Sequence, residues 1–566
     1  MRRVPAVLLV LFLTVLPLCA YAAGGKVFVL SDPIYSMMDS LFVSCGHALP
    51  SASRPWTAAE VANELSRLDG VALDAGQAEL RRRIEERIGE EAREYIAVAA
   101  EFSPEMYIHT NQDYATDEMW NYSFNERKPF ATLSLEAGLG PFYTYCEMGY
   151  GWGRTTNRDE DEAISDLAAE NHGAWYGIGA VVPVSDGDLR VVTRSDVYSR
   201  TFLFNFPAIT QIEIDVPRRT FLTFGWENAS LGIYRGRKSW GSSKIGNFIF
   251  DGHVSTMNYA TLKIFGKKFS FDYTFMLPAQ WYSNSQGSEH PADFRRVFAA
   301  HMISVQILDN LKVSASENVM YRFDFPDLDI LNPASIYHNN TNSVLLNAIA
   351  HVEAEYVPAP GLRLFAQFCL DQATAPTEAD TQDAAWGLSG GLSWARVTDK
   401  GYFNASAEAL YTTPALYRRN YVDFIIWTNN STNRPYVRYP MFTYMGFRYG
   451  GDAVAARADF SYDAFSGIGA HASAQLFVHG DFDMLVSHNS AGDNTGCPDR
   501  RLRTPSDPAY AFYIINAGVE YRTTLWKMPV RAFADIAWLS GVRGWHGDAG
   551  NDLQISLGIS VNASSD

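Results

Sequence analysis

Beyond residue 18 the chain has no run of about 20 apolar residues, so no helix can be read that would cross a bilayer. Cysteine is scarce: five residues in all, none in a close pair. The spacing of Cys45, Cys146, Cys369 and Cys497 suggests neither a disulfide framework nor a zinc site. Positive charge is short as well, with 46 Lys plus Arg against 63 Asp plus Glu and a formal net charge of −17. An excess of acid on this scale excludes non-specific nucleic-acid binding. The acidic run Asp159-Glu160-Asp161-Glu162 has no glycine-spaced ligands and reads as a solvated loop, so no metal and no cofactor is expected.

Aromatics and alternation are plentiful. The chain carries 30 Tyr, 34 Phe and 13 Trp, which suits interfacial girdles and sugar-stacking surfaces alike. Phe269-Ser270-Phe271-Asp272-Tyr273-Thr274-Phe275 alternates strictly, and the two-residue rhythm recurs from about residue 95 to the C-terminus. Each such strand has one polar and one apolar face. In Arg190 to Tyr198 the polar face carries Arg190, Arg194 and Asp196; elsewhere it carries His351, Glu353 and Glu355, or Arg457, Asp459 and Asp463, or Arg531 and Asp535. Many apolar positions are small, such as Ala405, Ala407, Ala409, Ala456 and Ala458. Charges turned into a dry sandwich core would each cost several kcal/mol unless paired. A wet interior with lipid outside is the cheaper arrangement, and it predicts an all-β, transmembrane antiparallel β-barrel.

The organisation agrees with export. Arg2 and Arg3, an apolar run from Val4 to Leu18 and Ala20-Tyr21-Ala22 read as a cleaved signal peptide over residues 1–22. Residues 23–95 predict a short helical periplasmic segment: Thr57-Ala58-Ala59-Glu60 is a capping box leading into Val61, Leu65 and Leu68, and a second helix spans about Asp74 to Glu94. Residues 96–566 form the barrel. Tight connections (185–188, 266–268, 309–310, 358–361, 398–401) alternate with long ones, including 232–257 and 412–453, as expected of short turns at one rim and long extracellular loops at the other. Strand-length segments number 16 to 20, and about 18 fits termini on one side. The implied location is the bacterial outer membrane, with membrane lipid and the barrel-assembly machinery as partners.

Two motifs stand out. One is Ser53-Arg54-Pro55-Trp56-Thr57-Ala58-Ala59-Glu60; the other is Arg235-Gly236-Arg237-Lys238-Ser239-Trp240-Gly241, continuing to Asn247 and Asp251. Together with Gly446 to Val454 they resemble the capsule-assembly Wzi family of outer-membrane proteins. That resemblance implies an 18-stranded barrel, a periplasmic helical bundle and a non-enzymatic surface lectin that holds capsular polysaccharide. Read physically, the glycines let residues 232–257 fold into a lumen. There Arg237, Lys238, Trp240, Asn247 and Asp251 would form a lumen segment, its cations either satisfying wall acids such as Asp272 or gripping acidic sugars.

The loop from Tyr411 to Tyr449 interleaves aromatics with cations, and Arg418, Arg419, Tyr421, Trp427 and Arg438 are candidate glycan contacts through stacking and charge. Gly387-Leu388-Ser389-Gly390-Gly391 matches a nucleophile elbow only formally, because a barrel strand lacks the helix that elbow needs. Two functions remain open: a protein that binds surface polysaccharide, or a porin or substrate-specific channel lined by Arg190, Arg194, Arg457 and Arg531.

Overall fold

The computed structural model describes residues 24–89, 95–111, 128–152, 179–183, 189–192, 202–205, 212–254, 257–278, 295–323, 331–337, 346–373, 384–419, 422–431, 438–480, 503–507, 509–542 and 550–565. The signal-peptide positions, the acidic run, Arg194, Tyr421 and Cys497 lie outside them.

Eighteen antiparallel strands close a barrel. They are β1 (Tyr95–Phe102, resumed at Glu105–His109), β2 (Ala131–Leu139), β3 (Phe142–Trp152), β4 (Ile212–Trp226), β5 (Ala229–Gly236), β6 (Met257–Gly266), β7 (Phe269–Met276), β8 (Arg295–Leu308), β9 (Leu311–Phe323), β10 (Leu346–Ala359), β11 (Leu362–Gln372), β12 (Ala385–Thr398), β13 (Gly401–Thr412), β14 (Ala453–Ala464), β15 (Ile468–His479), β16 (Tyr510–Leu525), β17 (Met528–Val542) and β18 (Asn551–Ser565). Closure runs through β18, which pairs with both halves of β1 (Val561↔Phe102, Gln554↔His109). Ser103-Pro104 interrupts β1, since proline has no N–H to give the ladder. Its first half pairs with β2, and its second half with a short strand, Phe202–Phe204.

Alternation sorts the faces as the pattern predicts. On β11, Leu364 and Phe368 are exposed on the outside, while Arg363, Phe365, Gln367 and Cys369 turn inward and are buried. On β10, Val352 is exposed beside buried His351 and Glu353. Small residues line the outer face where expected, with Ala407, Ala409, Ala456 and Ala458 exposed. An apolar outer face around inward polar residues is the arrangement a hydrocarbon environment favours. Cys369 is a buried free thiol on the inner face, and Cys45 and Cys146 are free as well.

Three helices sit at the short-turn rim: α1 (Ile34–Ser44), α2 (Ala58–Leu65) and α3 (Ala75–Gly89). α1 buries Ile34, Met38, Leu41 and Phe42, an i, i+4, i+7, i+8 stripe, and Asp32 accepts from its first turn (Ile34 N, 2.9 Å). The sequence reading missed this helix. Thr57 caps α2 by accepting from Glu60 N at 3.3 Å. α3 is described as far as Gly89, and the rest of the expected extent, residues 90–94, lies outside the described residues. The helices fasten to the tight turns: Ala48 N donates to Asp309 O (2.9 Å), Gly361 N to Val43 O (2.7 Å) and Lys267 Nζ to Ser66 O (3.3 Å). Among the described residues no helix is long and apolar enough to cross a membrane.

One strand assignment is corrected. Leu189–Val192 belongs to no wall strand; it forms a hairpin with Gly179–Pro183 that joins Ile425–Ser431 and Arg438–Tyr444 in a separate four-stranded sheet. Arg190 therefore belongs to that sheet and not to a wall strand. Alternation alone cannot tell a wall strand from a hairpin within a long connection, because both have two faces.

A candidate site within and above the lumen

Among the described residues the chain itself occupies much of the lumen, while inward side chains of β15 and β17 such as His471 and Arg531 stay partly exposed. The chain between β5 and β6 turns inward, and Lys238, Trp240, Phe248, Ile249 and Phe250 are fully buried there. Gly241 adopts a φ of +118°, and a Cβ at that position would lie 2.1 Å from Asn247 Oδ1, so glycine is required for the bend. The segment keeps its shape through internal bonds. Asn247 Oδ1 accepts from Ser243 N (3.2 Å) and from Gln367 Nε2 on the wall (2.9 Å), and Asp251 Oδ1 accepts from Asn247 N (2.7 Å). Arg237 is partly buried, and its carbonyl accepts from Tyr259 OH (3.2 Å).

The two motifs meet. Ser53–Arg54 and Ser239–Trp240 form a two-residue antiparallel ribbon (Ser239↔Arg54, Trp240↔Ser53), and Trp240 Nε1 donates to Ser53 Oγ at 2.9 Å. Ser53 Oγ in turn donates to Asp272. Arg54 is held by Asp39 of α1 (2.9 Å) and lies over the Tyr35 and Trp56 rings at 4.8 and 5.3 Å.

Around this ribbon sits a buried charge cluster from three parts of the chain. Lys238 of the lumen segment pairs with Asp272 of β7 (3.3 Å). Lys263 of β6 pairs with Glu60 of α2 (2.9 Å) and also donates to Ser53 O (3.0 Å) and Pro55 O (2.8 Å). Two cations and two carboxylates balance, which is the condition under which buried charge is tolerated. Glu60 thus spends its side chain on Lys263 and not on the reciprocal half of the capping box. Burial holds its carboxyl up at about 7 despite the Lys263 ammonium, and burial pulls the Lys238 ammonium down to about 8 against the pull of Asp272.

A second set of contacts fixes the other flank. Glu408 on β13 accepts from Ser243 Oγ (2.8 Å), Lys244 N (2.8 Å) and Ile245 N (3.1 Å). Glu355 on β10 accepts from Ser242 Oγ and pairs with Lys312 (3.1 Å), which also donates to Pro50 O (2.8 Å). Of the inward carboxylates that suggested a wet pore, Glu355 anchors the plug, whereas Asp459 and Asp535 pair with Arg457 and His471 of the wall.

From the long-connection side the described residues of the 411–449 region pack over the segment. Tyr417 OH donates to Phe248 O (2.8 Å), Asp251 N donates to Met445 O (3.2 Å), and Phe424 packs edge-on against Phe298 of β8, centroids 5.6 Å apart. Gly446 passes so close that an added Cβ would lie 2.0 Å from Phe248 O. One buried apolar cluster, including Val27, Trp240, Phe248, Leu416 and Phe447, runs through all three layers.

Arg418 is not presented to solvent. It is 5% exposed and pairs with Asp423 at 3.2 Å, so its role is internal to the folded loop. Arg419 is partly exposed next to it, and Asp423 Oδ1 accepts from its backbone N–H at 2.7 Å. Trp427 and Arg438 lie on the two paired strands of the four-stranded sheet, Trp427 opposite Phe442 and Arg438 opposite Ser431. Ser389 sits inside β12, away from any strand-to-helix turn. Reading the sequence missed Ser53, Lys263, Lys312 and Glu408 as partners of the segment; the inward positions of the last three follow from alternation, but what they meet does not.

In sequence, no family model matches the chain and no curated protein matches it. In structure, the chain is similar to Wzi, described as an outer-membrane protein involved in group 1 capsule assembly in Escherichia coli and a carbohydrate-binding β-barrel: 10% identity, 94% of this chain and 99% of that chain covered, TM-score 0.56. At that identity the likeness is one of fold. Other matches are OprD of Pseudomonas aeruginosa (11% identity, 83% and 95% covered, TM-score 0.36) and OccAB4 of Acinetobacter baumannii (8%, 83% and 98%, TM-score 0.38).

Proposed function

We propose that this chain is a non-enzymatic outer-membrane barrel that binds or retains surface polysaccharide, with the helical rim facing the periplasm and the long connections outside. The observation that carries the reading is the inward plug. Trp240, Phe248 and Phe250 are fully buried inside the barrel, between α1 to α3 at one rim and the described part of the 411–449 connection on the other side. A packed plug with a charge-balanced anchor serves a rigid scaffold better than a passage for solutes. The fold shared with a carbohydrate-binding barrel supports the same direction.

The residues most suited to an external glycan are Arg419, Trp427 and Arg438 of the upper sheet and loop, with Arg418 ordering the loop from within. Aromatic faces stack on sugar rings and guanidinium groups pair with acidic substituents. The test is retention of purified cell-surface polysaccharide by cells producing the protein. Replacing Trp427 and Arg438 by alanine at normal barrel levels should release it; unchanged retention would move the binding surface elsewhere.

A further inference from the structure

A pocket of about 310 Å³ lies between the N-terminal chain and the wall strands β2 to β4, apart from the loop surface just described. Its volume falls at the lower end of the roughly 300–1,000 Å³ typical of small-molecule sites. Phe28, Tyr145 and Phe221 supply apolar lining, Tyr145 and Phe221 stacked with centroids 5.5 Å apart. Asp32 and Glu136 contribute carboxylates, Arg87 and Arg219 contribute guanidinium groups, and Lys26 adds an ammonium.

These groups are held in place from behind. Arg87 forms a two-point pair with Asp32 (2.7 and 2.9 Å), Arg219 pairs with buried Glu147 (2.7 Å), and Glu136 accepts from Tyr143 OH (2.9 Å). Arg87 is 43% exposed, so the pocket is reached from the surface beside α3, at the short-turn rim.

The mixture selects the ligand class. A simple anion would call for donors only, and a hydrocarbon for no charge at all. A polyol needs both, because each hydroxyl donates one hydrogen bond and accepts others, and the ring's C–H faces need an apolar or aromatic wall. Charged partners make the stronger of these bonds.

We infer that this pocket binds a saccharide unit of one or two rings at the periplasmic mouth of the barrel, its hydroxyls reaching the Asp32–Arg87 pair on the helical side and Glu136 and Arg219 of the wall on the other. The inference rests on the proposed function for the side it faces and for its interest in sugars, but it concerns a different site from the external loop.

The test is saturation-transfer NMR on the full chain in detergent, using cellobiose as a neutral disaccharide and digalacturonate as an acidic one. Two variants accompany it. Val29→Trp fills the pocket, and Glu136→Gln keeps an acceptor for Tyr143 while removing the charge. Heat-modifiable migration confirms that each variant has an intact wall. The expected result is transfer to at least one disaccharide, lost at least tenfold in Val29→Trp and weakened several-fold in Glu136→Gln. Equal transfer in wild type and in both variants, or none from either sugar to wild type, overturns the assignment. Polysaccharide retention by cells is measured separately: no retention by wild-type cells, with disaccharide transfer intact, would sink the external reading and leave this site standing.

Discussion

Lys238 Nζ lies 3.3 Å from Asp272 Oδ2, both side chains shut off from solvent, and this pair ties the lumen segment to the wall. Lys263 stands 4.0 Å from the same carboxylate oxygen and bridges it to Glu60 of α2. Removing one member of such a set leaves charge buried without compensation, at a cost of about 3–5 kcal/mol. Asp272→Asn should therefore leave the wall heat-modifiable while residues 237–254 become sensitive to protease. Adding Lys238→Met should restore part of the resistance, because Lys263 keeps Glu60 and two carbonyl acceptors. A double variant no more resistant than the single one would show that the pair does not hold the segment.

Trp240 fills the space under the segment and donates to Ser53 Oγ at 2.9 Å. Truncating a buried aromatic of this size typically costs about 3–5 kcal/mol. Trp240→Ala should loosen the plug without abolishing the barrel, read as increased uptake of a large antibiotic by intact cells at unchanged protein level. Wild-type uptake would mean the segment is held by its other contacts alone.

The charge cluster gives plug docking a pH dependence. Burial raises Glu60 from 4.5 to about 7 in the folded chain, with Lys263 opposing and Asp272 and Glu64 reinforcing. The stability this contributes is fully present below about pH 4.5 and is lost as pH rises through about 7. Lys238 is lowered from 10.5 to about 8, so its contribution is present above 10.5 and lost as pH falls through 8. Docking of the helical segment should be weakest near pH 7 to 8. Limited proteolysis across pH 4 to 11 reads this directly, and Glu60→Gln should flatten the acid side of the profile.

Arg418 acts within its loop. Arg418→Ala should disorder residues 417–424, since Asp423 loses its guanidinium partner. Arg296 of β8 reaches the same loop by donating to Ile425 O at 3.1 Å, and Arg296→Ala should have a similar effect. Both variants should show protease cleavage in the loop before any change in barrel migration. A loop that stays resistant in both would place its anchoring in the Tyr417 and Phe424 packing instead.

Much of the fold was legible because a barrel wall repeats one local rule. The inward turn of His351, Glu353 and Arg457, the outward turn of Ala407 and Ala456, and the tight turns at 266–268, 309–310 and 398–401 all follow from period 2 and turn chemistry. The expectation that Arg237 to Asp251 enter the lumen rested on the glycines there and on wall acids able to take cations. The antiparallel ribbon between Ser53–Arg54 and Ser239–Trp240 was not legible, because it joins residues nearly 190 apart with no pattern shared between them. Inward charge was read as a sign of water. Glu408 and Glu355 instead bind backbone and hydroxyl donors of the segment, a tertiary choice that alternation does not record. α1 is not legible from period 3.6, because Tyr35, Met37 and Val43 add apolar residues beside the Ile34, Met38, Leu41 and Phe42 stripe and blur it.

The central claim, a closed scaffold and not a passage, is tested most directly by planar-bilayer conductance of the purified full chain beside polysaccharide retention by the same preparation. The account predicts no sustained ion current from wild type, measurable retention, and current appearing only when Trp240 or Asp272 is replaced. Sustained current from wild type with no polysaccharide retained would contradict it.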